Sequence, residues 1–476
     1  MSKLPLVEGI LKYAYENNIS FCMPGHKGGL GFLATREGKE LYNNLIKGDI
    51  TEVDGMDNLH KPEGIIKEAM SLLKDFYGSK KSYFLVNGST SGNLAMIFAA
   101  FNEGDKVIVE RNCHRSIFNG IVMRKLQPVY IKNEINENYN APLSIDLEHF
   151  LCLIEENRDA RGIIITYPNY YGICTDLEFI IDKAKQYGMK VLVDEAHGAH
   201  FGVHSELPKS ALSLGADMVV MSAHKTLPSL TQTAYLHVGE NMDMEKVDFY
   251  VSAFLSTSPS YMLMASMDYA RFYLQEYGKE AYAGLLKLCR RYRGKINKLS
   301  HFHILGPEDL EGQTIDETRY VLNVKKGYSA HKLLDYLKTK GIQGEMSDGY
   351  NVILIFSPFN REEDFIALYE ALEEWIEKVP KESKDNFYAS FFNDFHTLEK
   401  ELAPYEVMEK EKCLVNLEDS KGKISKSAIV PYPPGIPLIM PGEVIDEKSI
   451  NVVKYYLDNH ITVLGIEEQK LWIVEE

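Results

Sequence analysis

The chain has 476 residues, 45% of them hydrophobic, which is enough to build more than one core. Its 68 acidic side chains outnumber its 52 basic ones, and the formal charge of −16 repels nucleic-acid phosphates and anionic membranes. The cysteines Cys22, Cys113, Cys152, Cys174, Cys289 and Cys413 are scattered with no CxxC pair and no metal-ligand spacing, so they read as reduced thiols and no metal site is expected. No stretch approaches membrane-spanning length, and the charged N-terminus lacks the apolar region of a signal peptide, so a soluble cytoplasmic chain is the expectation.

The first 47 residues read as an N-terminal arm: a short helix, "LVEGILKYAYEN", then a glycine-rich loop, "MPGHKGGLG", suited to an exposed arm or a site loop. The stretch "GIIKEAMSLLKDFYG" has helical apolar spacing and stops at Gly78. "SYFLV" then reads as a strand and "GNLAMIFAAFN" as a helix. "DKVIVE", "QPVYI", "RGIIIT", "KVLVDEAH" and "ADMVVMS" are short Val/Ile-rich runs separated by helices or loops. Runs apolar at nearly every position suit strands covered on both faces, so a mainly parallel α/β sheet is predicted for a large domain over 48–312. A smaller α+β domain is predicted over 313–476, from "RYVLNV", "NVILIFSP" and "DFIALYEALEEWIEKV". A charged stretch, "PKESKDN", leads to "VPYPPGIPLIMPGE", a stiff segment that reads as a packing strap, an active-site wall, or both.

Ligands of open α/β sheets bind beyond the carboxyl ends of the strands, so the polar residues there form the candidate site. After "SYFLV", the hydroxyls of Ser89, Thr90 and Ser91 precede a helix and could hold an anion or simply cap it. His114, after "DKVIVE", could stack on a flat ligand or serve the structure. Asp194, after "KVLV", could pair with a ring nitrogen or form a turn. Lys225 follows "ADMVVM" at the same edge, where desolvation would lower its pKa and suit it to condense with an aldehyde; alone it would read as a surface lysine. One ligand satisfies the set: pyridoxal phosphate, its phosphate on "GSTS", its ring between His114 and the small Ala196, its nitrogen on Asp194 and its aldehyde on Lys225.

These stretches also carry a resemblance. "MPGHKGG", "DITEVDGMDNLHKPEGIIKEA", "LVNGSTSGN", "ERNCHRS", "VDEAHGAHFG", "SAHKTLPSLTQTA", "STSPSYMLMASMD" and "PYPPGIPLIMPGE" occur in the order found in the bacterial ornithine/lysine/arginine decarboxylases, which are pyridoxal-phosphate enzymes of the aspartate aminotransferase fold (fold type I). The resemblance implies that Lys225 carries the Schiff base, that Asp194 pairs with the pyridinium and that His114 stacks on the ring. It also implies phosphate contacts from Ser89, Thr90, Ser222 and His224, and a homodimer with the active site at the interface. Thr257 and Ser258 would then serve the neighbouring subunit, and His26 and Lys27 would stand at the shared cleft.

The chain reaches "MPGHKGG" by residue 23 and so resembles the short form, which is associated with arginine decarboxylation to agmatine for polyamine synthesis; lysine and ornithine are the rival substrates. Lys225 or His197 would return a proton to the substrate's α-carbon, and Glu443 is the expected partner of a cationic side chain. An aminotransferase of the same fold would need an arginine clamp, for which Arg319 and Arg361 are the late-chain candidates. A silent ligand-binding homologue is the other rival, and the presence of Lys225 and Asp194 opposes it.

Overall fold

The computed structural model describes residues 3–136, 138–378, 398–432, 437–458 and 462–475. The segment "PKESKDN" and the central prolines of the proline-rich stretch lie outside the described residues. Seven strands form the central sheet: β1 (Lys81–Leu85), β2 (Lys106–Glu110), β3 (Gln127–Ile131), β4 (Gly162–Thr166), β5 (Lys190–Asp194), β6 (Met218–Met221) and β7 (Ala234–Val238). Their order is β1-β7-β6-β5-β4-β2-β3. All neighbours are parallel except β7, which runs antiparallel to both β1 and β6. Strand β7, "AYLHV", is buried along its whole length and was not anticipated from the sequence, whereas the other six were. The predicted mainly parallel α/β sheet is the observed one.

Helices follow the parallel strands because each apolar strand face must be covered. Helix α1 (Pro5–Tyr15) precedes the sheet, α2 (Ile65–Tyr77) leads into β1, and α3 (Gly88–Ala100) leaves β1 directly. Gly92 lets α3 lie close on the sheet, since a Cβ there would come within 2.6 Å of Leu85 and 3.0 Å of Val220. Helix α4 (Arg115–Met123) follows β2, and the single turn α5 (Ala223–Thr226) follows β6. Helix α2 ends where expected, with Gly78 in the left-handed region at φ 70°.

A second, antiparallel sheet has the strands β8 (Phe302–Ile304), β9 (Arg319–Val324), β10 (Met346–Ser347) and β11 (Asn351–Ile355), in the order β8-β9-β11-β10. One apolar core runs through both sheets, taking in residues from Phe21 to Trp375 together with Met440, so the change of texture near residue 312 does not interrupt it. A separate core joins residues between Leu398 and Ile473, where β12 (Lys412–Asn416) pairs with β14 (Lys470–Val474) and β14 with β13 (Ile466–Glu467).

The arm divides into two parts. Helix α1 buries none of its residues. Residues Ile19–Phe21 form a parallel ladder with Ile342–Gly344, and the glycine-rich loop that follows is packed into the molecule rather than free. Gly25 lies against the Thr226–Leu227 backbone, where a Cβ would meet an atom at 2.4 Å, and its amide donates to the His224 carbonyl at 2.8 Å. The loop therefore supports the turn that carries Lys225.

Candidate active site

The carboxyl ends of β1, β2, β5 and β6 bring most of the predicted residues to one edge. Strand β5 ends on Asp194, which is buried; its Oδ1 accepts the Ala196 amide at 3.1 Å and its Oδ2 accepts the Asn93 side chain at 2.8 Å. Asn93, on α3, also donates to Ser116 Oγ at 2.8 Å, and that hydroxyl lies 2.7 Å from His114 Nδ1. A chain of four side chains thus links the buried carboxylate to the exposed imidazole at the start of α4. Asn93 is fully buried and was missed from the sequence, although it closes the quoted "LVNGSTSGN".

Lys225 Nζ stands 2.9 Å from His197 Nε2. Burial lowers the lysine pKa to about 8; Asp194 and Glu345 oppose the shift and Arg319 adds to it. His197 lies well below the usual imidazole range, first through burial and then through the charges of Lys225 and Arg319. Arg319, at the start of β9, is buried, and its guanidinium donates to the Tyr170 carbonyl at 2.6 Å and to His197 Nδ1 at 3.1 Å.

Helix α3 begins with the predicted hydroxyls, preceded by Gly88 at φ 77°. Ser222 donates to Ser89 Oγ at 2.9 Å, which leaves the Ser89 proton free for an anion, and Thr90 is exposed beside it. Ser91 behaves differently. It is buried and donates to the Gly88 carbonyl at 2.7 Å, so its proton is already used in the turn. His224 Nδ1 meets the Thr233 carbonyl at 2.8 Å and must carry the proton there, so Nε2 can donate to an anion only when the ring is protonated.

Two substrate expectations are corrected by the packing. Glu443 is not a free pocket carboxylate: it is 1% exposed, and its oxygens accept Arg111 Nη1 at 2.5 Å, Arg111 Nη2 at 2.7 Å and the Met440 amide at 2.8 Å. Arg111 needs that partner because a buried guanidinium without a counter-charge is costly, and the pair clamps residues 438–443 onto the end of β2. The segment is a strap. Lys27 is likewise no cleft residue; its ammonium is buried and donates to the carbonyls of Cys22 at 2.6 Å and Ile355 at 2.9 Å. His26 is half-buried beside Phe32, with Nδ1 accepting the Gly29 amide.

Thr257 and Ser258 are exposed, and among the described residues their hydroxyls make no bond to the Lys225 cluster. Their loop is tied to the start of α3, since the Ser256 amide donates to Asn87 Oδ1 at 3.0 Å. The lysine amine, the carboxylate 31 residues before it, the exposed imidazole and the hydroxyls of α3 together could hold a flat aldehyde phosphate. Among the described residues no group of three or more His, Cys, Asp and Glu is placed to hold a metal, and no helix is long and apolar enough to cross a membrane.

Residues 4–324 match the family model of the Orn/Lys/Arg decarboxylase major domain, and residues 382–461 match that of the C-terminal domain. The Bacillus subtilis (strain 168) protein called "Uncharacterized protein YaaO" is 35% identical over 479 residues, covering 99% of this chain and 98% of that one. The arginine decarboxylase of the same strain is 32% identical over 476 residues, covering 99% and 97%. Among solved structures, lysine decarboxylase A from Pseudomonas aeruginosa superposes with a TM-score of 0.79 at 19% identity, covering 99% of this chain and 80% of that one, a likeness of fold. Matched by the major-domain model over most of its length and by relatives over nearly all of it, the chain belongs to the Orn/Lys/Arg decarboxylase family.

Proposed function

We propose that the chain is a pyridoxal phosphate-dependent decarboxylase that converts L-arginine to agmatine and CO2. The observation that carries the chemistry is Lys225 Nζ, buried at the strand ends 2.9 Å from His197 and under the electrostatic influence of Asp194. Arginine is favoured because a relative named arginine decarboxylase is 32% identical across nearly the whole chain, whereas the lysine decarboxylase structure shares 19%. Lysine and ornithine are the alternatives.

When bound, the cofactor supplies an electron sink for the pair left at the α-carbon as CO2 departs. Lys225 would hold its aldehyde, Asp194 would keep a proton on the ring nitrogen, and Ser89 and Thr90 would receive the phosphate, with Ser222 orienting Ser89. His114, which is exposed, would cover the ring. The Lys225 amine would return a proton to the substrate's α-carbon, with His197 as the adjoining donor. The balance is one proton consumed for each CO2 released.

The aminotransferase reading lacks its clamp. Both Nη atoms of Arg319 are engaged with Tyr170 and His197, and Arg361 is exposed at the start of a helix. With Glu443 committed to Arg111, Glu345 is our candidate for the substrate's cationic end. It is half-buried, accepts the Tyr170 hydroxyl at 2.5 Å and the Met23 amide at 2.9 Å, and acts electrostatically on Lys225. The working unit is a cytoplasmic homodimer in polyamine synthesis, its cleft completed by Thr257 and Ser258 of the second copy.

The test offers the purified protein, supplied with pyridoxal phosphate, equal arginine, lysine and ornithine, with amines identified by mass spectrometry. Agmatine is the expected product. Cadaverine or putrescine would overturn the substrate, and no amine from protein carrying bound cofactor would overturn the decarboxylase. Glu345→Gln is expected to raise KM for arginine about tenfold or more, because the cation loses its counter-charge.

A further inference from the structure

The protons around His197 can be assigned from its neighbours. A guanidinium has donors and no acceptor, so Arg319 Nη2, 3.1 Å from His197 Nδ1, must donate to it. Nδ1 therefore presents a lone pair. A neutral imidazole then carries its proton on Nε2, the atom that faces Lys225 Nζ at 2.9 Å. An Nε2–H can be received only by an amine with a lone pair, since an ammonium would oppose one N–H to another. The remaining protonation states fail in turn: a proton on Nδ1, in either the other tautomer or the imidazolium, would point at the Arg319 donor.

The arginine is itself held in place. Its second nitrogen donates to the Tyr170 carbonyl at 2.6 Å, and Tyr170 packs edge-on to the His197 ring with centroids 5.1 Å apart. Gly172 makes room for the side chain: it sits at φ 84°, and a Cβ there would come within 3.1 Å of Arg319 Cδ.

We propose that Arg319 is a positioning residue that fixes His197 in its Nε2–H tautomer and thereby favours the neutral form of the Lys225 amine before any aldehyde arrives. The charges facing Lys225 act in both directions, and burial decides the outcome. Burial depresses the lysine pKa to about 8, Asp194 and Glu345 oppose it, and Arg319 reinforces it. His114 and His224, the other imidazoles near this amine, are both shifted toward the neutral form, first by burial. The proposal rests on the reading of Lys225 as the aldehyde-capturing residue. It assigns the arginine a task in loading the protein, where the amine condenses with the aldehyde and water leaves.

Two measurements on the cofactor-free protein test it. In protein carrying 15N-labelled histidine, with the His197 signals identified by their loss in His197→Gln, Nδ1 is expected to be unprotonated and Nε2 protonated at about pH 9, above the lysine pKa of about 8. A proton on Nδ1 would overturn the proposal, and this reading needs no Arg319 variant. The second measurement follows the rate of pyridoxal phosphate capture against pH. The wild-type rate is expected to fall below about pH 8. In Arg319→Met the midpoint is expected to rise by about one unit, slowing capture about tenfold at neutral pH. An unmoved midpoint in a folded variant would also overturn it. Failure of the wild type to capture the aldehyde at any pH would defeat the cofactor reading, while the nitrogen spectrum would still decide the tautomer.

Discussion

The buried Asn93 shows how a side chain that touches no substrate can still set the site. Its amide bridges Asp194 and Ser116, and Ser116 holds His114. Asn93→Ala would leave the Asp194 oxygen and the Ser116 hydroxyl without that donor, at a cost of about 1–3 kcal/mol for a buried group left unpaired. Asp194 and His114 would then be less firmly oriented, and the Kd for pyridoxal phosphate, measured by fluorescence titration, is expected to rise about tenfold with the lysine still competent to react. The strand-end positions of Lys225, Asp194 and His114 were legible in the sequence because a polar residue just past an apolar run stands out. The contacts of Asn93 and Arg319 were not. Their roles depend on which neighbour they meet, and neither spacing nor residue type carries that information. Glu443 was misread for the same reason, since the sequence shows a carboxylate on a stiff segment but not Arg111, 332 positions away, that consumes it.

Asp57 acts on a whole element. Helix α2 has no side-chain cap of its own at Gly64, and Asp57 supplies one from a distance. Its Oδ1 accepts the amides of Asn58 and Glu63, each at 2.9 Å, and its Oδ2 accepts those of Gly64 at 2.9 Å, Ile66 at 3.0 Å and Lys67 at 3.3 Å. Burial alone would raise the carboxyl pKa, but these amides outweigh it and hold it below the usual value. Asp57→Ala is expected to cost about 2 kcal/mol at neutral pH, read from denaturant unfolding. Because the folded pKa is depressed, the contribution is complete above the unfolded value near 3.9 and disappears as pH falls through the folded one. The gap between wild type and variant should therefore close only in acid; a gap constant with pH would mean that the charge is not what caps the helix. In the stretch "GMDNLHKPEG" the spacing does not show a cap, because Asp57 reaches the helix start only through the fold of the loop. Strand β7 was overlooked for a related reason: "AYLHV" follows a loop rather than a helix, and its antiparallel entry beside β1 has no separate signal in the sequence.

The site draws on parts of the molecule that are distant in sequence. Asp194 and Lys225 come from the central sheet, Arg319 and Glu345 from the region of the second sheet, and the Lys225 turn rests on the loop that contains Gly25. A ligand bound there contacts or orients all of them, so it should stabilise the chain as a whole rather than one part. For a ligand that binds only the folded state, a concentration 100 times Kd contributes about 2.7 kcal/mol. In a molecule of this size that corresponds to roughly 3 °C in the melting midpoint, measurable by calorimetry with and without pyridoxal phosphate. Lys225→Ala keeps the phosphate and ring contacts and loses only the covalent link, so its rise at equal cofactor should be smaller but present. Inorganic phosphate, which can fill only the cradle of α3, should give less again. If phosphate matched the full cofactor, the ring and the aldehyde would contribute nothing to the folded state, and the assignment of Asp194, His114 and Lys225 to one ligand would fail.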